Sequence, residues 1–257
     1  MTLTKEKLAE DLYHAYAQNE PLIWQDADLG TLDPVNAYDV QHAFNKAKGE
    51  PVKGYKISLT SKETQDLFHS NSPLYGQIVE SKLMHDGAAI YRSEMNEPIL
   101  ELELEFTATE DLSAEDTLEE LYAKTELAPG VEVPDSRFKN WFPSLPLALV
   151  ISDSAVCGRV VVGDSATKPT IDQLSAIHAS VTRDGKPVTS GVSSEVLGNP
   201  LNALKWLVQR LAQEGKTLSK GTTVSTGTFC MPEKLLPGHY EATFDHQIGT
   251  VVFDVIG

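Results

Sequence analysis

Pro98-Ile99-Leu100-Glu101-Leu102-Glu103-Leu104-Glu105-Phe106 is the stretch from which the rest of the chain is read. Apolar and acidic residues alternate strictly, which is the period of a β-strand, where side chains two apart share a face. Glu101, Glu103 and Glu105 therefore stand in a row, about 7 Å from one to the next. Carboxylates so placed repel one another unless they face bulk water or share a cation. One reading is an amphipathic strand with a solvated acidic face. The other is a site for a hard divalent cation, which prefers carboxylate oxygens. Mg2+ takes only a few protein carboxylates and keeps positions for water and substrate, so a third acidic residue from elsewhere would tip the balance.

Outward from this strand the chain reads as helices first and strands later. Residues 4 to about 18 have helical spacing, with Thr4 as N-cap and Leu8, Leu12, Ala15 and Tyr16 on one face. A second helix opens on Asp33 and Pro34, turns Val35, Tyr38 and Phe44 inward, and ends at Gly49. A polar connector joins the two. Val52 to Leu59 reads as a strand, and Thr60-Ser61-Lys62-Glu63 as a capping box that starts a short helix to about Phe68. Beyond the acidic strand, Ser113-Ala114-Glu115-Asp116 has capping-box form ahead of Leu118, Leu121 and Tyr122. Val131-Glu132-Val133 is a short strand, and Leu145 to Ile151 and Val156 to Val162 suit buried strands. Asp184-Gly185 marks a hairpin. Asn199-Pro200 opens the best-marked helix, with Leu201, Leu204, Leu207, Val208 and Leu211 inside and Gly215 near its end. A last hairpin joins His239–Phe244 to Thr250–Ile256. This order argues an α+β fold, with residues 1–70 as an N-terminal helical layer packed on a strand-rich catalytic body at 71–257, the whole forming one continuous domain.

Composition narrows the function. With 37 acidic and 21 basic side chains the net charge is -16, a surface that repels phosphate backbones and argues against nucleic-acid binding. The apolar runs are shorter than a membrane span and Met1 to Glu6 has no signal-peptide core, which predicts a cytoplasmic protein with no membrane partner. Cys157 and Cys230 read as free thiols. There is no Gly-rich phosphate loop, no GxSxG elbow and no zinc spacing.

Glu132 is the candidate third carboxylate, although a surface glutamate is the plainer reading. Lys56 lies between Tyr55 and Ile57 in an apolar strand. It either snorkels to water or, if buried, serves as a proton donor or anion clamp.

Four motifs, in this order and spacing, resemble one family: Gly54-Tyr55-Lys56-Ile57-Ser58-Leu59-Thr60-Ser61, the Pro-x-x-Glu-x-Glu run at 98–103, Val131-Glu132-Val133-x-Asp135-Ser136-Arg137, and Leu197-Gly198-Asn199-Pro200-Leu201-Asn202. They look like the 2-keto-4-pentenoate hydratase and 4-oxalocrotonate decarboxylase group of the fumarylacetoacetate hydrolase superfamily, from about residue 30 to the C-terminus. The resemblance implies a mixed, rolled β-sheet body with flanking helices, assembled into homo-oligomers and in some members associated with a pathway partner enzyme. It implies Mg2+ or Mn2+ held by Glu101, Glu103 and Glu132, and a catalytic role for Lys56. Glu80, four residues after Gly76, reads either as the partner acid or base or as a plain surface residue. The activity implied is a lyase acting in aromatic-compound catabolism, which ketonises 2-hydroxypenta-2,4-dienoate and adds water to it. A decarboxylase of 2-oxo-3-hexenedioate is the neighbouring alternative. An acylpyruvate C–C hydrolase, which needs a His-Glu pair not spelled out near His69 or His85, and a non-catalytic partner subunit are more distant ones.

Departures from the family pattern are Ser58 in place of glycine, Ser154 in place of asparagine, and Ser81 after Glu80 where some hydratases have a second acid. They bear on substrate choice. Arg92, Arg137 and Lys139 are the cations available for a second substrate carboxylate, and the shortage of others leans the reading toward a monoacid substrate. Asp153 either fixes the ligand loop or is a plain turn residue.

Overall fold

The computed structural model describes residues 4–25 and 32–257. Its helices are α1 (Lys5–Gln18), α2 (Ala37–Ala47), α3 (Lys62–Leu67), α4 (Leu118–Ala123), α5 (Leu147–Ser152) and α6 (Pro200–Gln213). The strands are β1 (Val52–Ser58), β2 (Leu74–Val79), β3 (Leu83–His85), β4 (Ala88–Tyr91), β5 (Ile99–Ala108), β6 (Thr125–Val133) and β7 (Arg159–Val162), followed by β8 (His178–Arg183), β9 (Lys186–Val192), β10 (Thr223–Ser225), β11 (Glu233–Lys234), β12 (Gly238–Phe244) and β13 (Gly249–Ile256). Among the described residues no helix is long and apolar enough to cross a membrane.

The strands make a mixed, curled body of two sheets with helices around it. One sheet runs β2-β1-β10-β5-β6-β7-β3, with β11 attached to β5; the other runs β4-β13-β12-β8-β9. β1 lies parallel to β10, and β5 is antiparallel to both β10 and β6. The acidic strand is therefore central and covered on both faces. Leu100, Leu102, Leu104 and Phe106 are completely buried in the main apolar core. Each such side chain contributes about 1.5–3 kcal/mol by leaving water.

α1 packs on α2, and α2 on α5 and β2. α6 buries Leu201, Leu204, Leu207, Val208 and Leu211, and its first turn is closed by Asn199, whose side chain accepts a hydrogen bond from Leu201 N at 3.0 Å. β1, although early in sequence, is an inner strand between β2 and β10. The connector expected between α1 and α2 falls partly on residues 26–31, outside the described ones.

Several local expectations give way. Leu145–Ile151, expected as a strand, contains the helix α5, because a segment buried all round has no periodicity to separate strand from helix. α4 starts at a capping box of Thr117 and Glu120 rather than at Ser113; Asp116 instead accepts from Ser113 N and pairs with Lys124 at 2.7 Å. α2 starts after Asn36, since the Asp33 carboxylate closes a turn onto the Val35 and Asn36 amides. The box read at Thr60–Glu63 forms one residue later, between Ser61 and Thr64, and Val35, expected inward, is 80% exposed. The hairpin at Asp184-Gly185 and the last hairpin form as read.

A buried ion pair fixes the loop that follows β6. The Asp153 carboxylate accepts from Ser136 Oγ at 2.7 Å, from Arg137 N at 2.9 Å and from the Arg137 guanidinium, which also donates to the Cys157 carbonyl at 2.7 Å and to the Asp153 carbonyl at 2.6 Å. Removing one partner strands the other charge out of water. Arg137→Met should lose about 3–5 kcal/mol of stability in a urea titration; a loss below about 1 kcal/mol would show that the pair does not hold this loop.

Candidate metal centre

Strand register builds the site. Glu101 stands directly across from Glu132, Glu103 from Gly130 and Glu105 from Ala128. On the other side of β5, Ser225 of β10 faces Glu105, and Lys56 of β1 faces Ser225. Lys56, Ser225 and Glu105 thus form one row across the sheet, beside the Glu101–Glu132 pair. Carboxylate oxygens of Glu101, Glu103 and Glu132 all lie within 4.8 Å of one another. The solvated acidic face is not what forms: Glu103, Glu105 and Glu132 have no solvent exposure, and Glu101 is partly buried.

Lys56 is also buried. Its Nζ lies 2.9 Å from Glu132 Oε1 and donates to Ser58 Oγ at 2.5 Å and to the Ala155 carbonyl at 3.1 Å. Burial alone would lower its pKa, but Glu132, Glu101 and Glu103 outweigh burial and raise it above the ordinary lysine value. The carboxyls move upward. Burial, reinforced by Glu132, pushes Glu101 up to about 8. Burial pushes Glu105 up to about 8 against a hydrogen bond from Ser225. Burial and three neighbouring carboxylates raise Glu103 strongly, while burial raises Glu132 against the pull of Lys56.

Several acceptors are left over here: among the described residues Glu103 Oε1, Glu105 Oε2 and Glu132 Oε2 are buried without a hydrogen-bond partner, and Glu132 Oε1 has only the Lys56 ammonium at 2.9 Å. Orphaned buried acceptors in a native fold call for an explanation, and a divalent cation bound by hard oxygen donors is one. The residues present therefore fit such an ion.

The sequence did not single out the supports of this cluster. Ser225 Oγ contacts Glu103 Oε2 at 2.6 Å and Glu105 Oε1 at 2.8 Å, and the Gly227 amide donates to Glu103 Oε2 at 2.7 Å. Gly227 has φ +117°, and a Cβ there would lie 2.3 Å from Thr60 Oγ1. Gly130 leaves the space that Glu105 fills, since its Cβ would come within 2.3 Å of Glu105 Oε1. In sequence, Ser225-Thr226-Gly227-Thr228 reads as a tight turn whose backbone could approach a ligand, with nothing to tie it to the glutamates.

A cavity opens over the cluster, bordered by Lys56, Ser58, Thr60 and Glu101 on its polar side and by Phe68, Trp141, Phe142 and Val150 on its apolar side. Glu80 does not border it. That carboxylate is 61% exposed in a 3-10 turn after β2 and faces Lys53 at 3.7 Å. Nor do Arg92, Arg137 or Lys139 border it: Arg92 donates to the Met95 and Asn96 carbonyls, both at 2.9 Å, Arg137 is tied to Asp153, and Lys139 is exposed. His69 and His85 are exposed.

No protein-family model matches the chain. It is 33% identical over 209 residues to 2-hydroxyhexa-2,4-dienoate hydratase of Comamonas testosteroni, covering 80% of this chain and 77% of that protein. It is 30% identical over 257 residues to 2-oxo-hept-4-ene-1,7-dioate hydratase of Escherichia coli, covering 96% and 95%. Among solved structures, 4-oxalocrotonate decarboxylase from Pseudomonas putida G7, complexed with magnesium and adipate, superposes with a TM-score of 0.88 at 25% identity over 99% of both chains.

The raised carboxyl pKa values have a consequence for the metal-free protein. A glutamate whose folded pKa lies near 8, above its ordinary value of 4.5, binds a proton more tightly folded than unfolded. Its stability contribution is therefore fully present below about pH 4.5 and is lost as pH rises through about 8. In EDTA, denaturant midpoints should fall across this window, and saturating Mg2+ should raise them most at the alkaline end. Midpoints in EDTA and in Mg2+ that follow the same pH profile would separate the cluster from the ion.

Proposed function

Because the chain belongs to the 2-keto-4-pentenoate hydratase and 4-oxalocrotonate decarboxylase group of the fumarylacetoacetate hydrolase superfamily, we propose that it is a divalent-metal-dependent hydratase of 2-hydroxy-2,4-dienoates. The product is a 4-hydroxy-2-oxo acid, and the setting is the breakdown of aromatic ring-cleavage products. Supporting this reading is one juxtaposition: three carboxylates within 4.8 Å of one another beside a buried lysine, reached through Glu101 and Lys56 from a cavity whose far wall is apolar.

Glu101, Glu103 and Glu132 would hold Mg2+ or Mn2+. Such an ion, when bound, draws electron density from the 1-carboxylate and the 2-oxygen of the substrate and so favours the enolate-like arrangement. The chain's own residues do the rest. Lys56 keeps its proton in the pocket, held by Glu132, Ser58 and the Ala155 carbonyl, at a place from which it can be delivered during ketonisation. That step moves a proton to C5, and water then adds at C4. Ser225 and the Gly227 amide keep Glu103 pointed into the site, and the aromatic side chains exclude bulk water.

The hydratase is favoured over the decarboxylase because the relatives that match most of this chain at 33% and 30% identity are hydratases. The assembly proposed is a homo-oligomer of this chain, a state that sedimentation reads directly.

With Mg2+ or Mn2+, the protein should add water to freshly generated 2-hydroxypenta-2,4-dienoate and release no CO2 from 2-oxo-3-hexenedioate. The reverse pattern, read by product mass, would make it the decarboxylase. Glu103→Gln should lower turnover by about 100-fold or more, on the scale of losing an electrostatic stabiliser. Lys56→Met should lower it by about 100-fold with little change in metal affinity. Glu80→Gln should stay within about twofold, as surface changes do. Full activity in Glu103→Gln would remove the metal assignment, and an unchanged rate in Lys56→Met would leave that lysine a structural counter-ion.

A further inference from the structure

The cavity over the cluster is small, roughly 60 Å3, space for on the order of five waters. That is enough for the carboxylate and 2-oxygen end of a substrate and not for a long chain behind it. A second chamber of roughly 950 Å3 adjoins it. Ile99, Trp141, Phe142 and Pro232 border both, and they form a collar between the two.

The collar is built. Trp141 Nε1 donates to the Glu97 carbonyl at 3.0 Å, and the Phe142 ring lies 5.5 Å from the Trp141 ring and 6.4 Å from Phe68, centroid to centroid. Pro232 immediately precedes β11, whose Glu233 and Lys234 pair with Leu100 and Ile99 of β5, next to the first glutamate. Beyond the collar the chamber wall includes Pro187, Val188, Leu235 and Leu236. Arg92, Arg183 and Lys234 also border it, alongside Glu97 and Glu233, so no single sign of charge dominates.

We propose that this outer chamber is a tail subsite, which takes the apolar substituent at the C5 end of 2-hydroxy-2,4-dienoates longer than the five-carbon parent. The proposal rests on the hydratase reading for the orientation of the substrate, head on the carboxylate cluster and tail through the collar. Each methylene that enters apolar surroundings adds up to about fourfold in affinity, the equivalent of about 0.8 kcal/mol.

Two series on the Mg2+-loaded protein test it. In the first, kcat/KM is measured for methyl-ended 2-hydroxy-2,4-dienoates of five, six and eight carbons. In the second, calorimetry reads the affinity of the saturated 2-oxo acids of the same lengths, which cannot react. Both should rise from five to eight carbons by about tenfold or more. A flat or falling affinity series overturns the subsite. Rising affinity without any hydration of the dienoates would instead overturn the hydratase reading and leave the subsite standing. 2-Oxooctanedioate binding more tightly than 2-oxooctanoate would overturn the apolar assignment in favour of Arg92 or Arg183. Val188→Trp, which narrows the outer chamber at its apolar wall, should lower the slope of the affinity series; an unchanged slope in the folded variant also overturns the proposal.

Discussion

Four glutamates taken out of water on two neighbouring strands are the constraint to which the rest of this structure responds. An isolated buried carboxylate costs several kcal/mol even after relaxation. β5 and β6 place Glu101, Glu103, Glu105 and Glu132 together, and the fold meets that cost with one buried ammonium, one hydroxyl and one backbone amide. What those groups leave unmatched, including Glu103 Oε1, Glu105 Oε2 and Glu132 Oε2 as hydrogen-bond acceptors, is the capacity that a cation would use. The leucine face of β5 makes the arrangement tolerable. Its burial anchors the strand in the core, so the carboxylates cannot swing toward solvent without disturbing Leu100, Leu102 and Leu104.

Support for the site reaches it from distant parts of the chain. Lys56 arrives on β1, paired in parallel with β10, which in turn brings Ser225 and the Gly227 loop from near the other end of the sequence. Arg137 and Asp153 hold the segment after β6 in place, and the β6 glycine gives Glu105 its room. These are long-range pairings, so the site exists only when the whole sheet has closed. A peptide spanning the acidic strand alone would have none of it.

Much of this was legible in the chain and some was not. The alternation at 98–106 gave the strand, and the four motifs gave the family, because each is a local pattern with a local cause. Which face of the strand would be dry could not be read: period two says that the glutamates share a face, not what covers it. The same ambiguity hid α5, where burial on all sides erased the helical period. Ser225 and Gly227 were invisible as supports because their role depends on a pairing of β10 with β5 across more than a hundred residues. Glu80 was chosen for its place in sequence, and the turn after β2 carries it to the surface instead. Ser58, noticed as a departure from the family glycine, takes a hydrogen bond from Lys56. A side chain there acts on the lysine and not only on the outline of the pocket.

The Lys56 ammonium has one more consequence. It sits inside the carboxylate nest as a covalently tethered cation, so the folded chain supplies part of its own counter-charge. Closure of the sheet then does not have to wait for an ion from solution. An ion taken up by Glu101, Glu103 and Glu132 would then meet a site the sheet has already built.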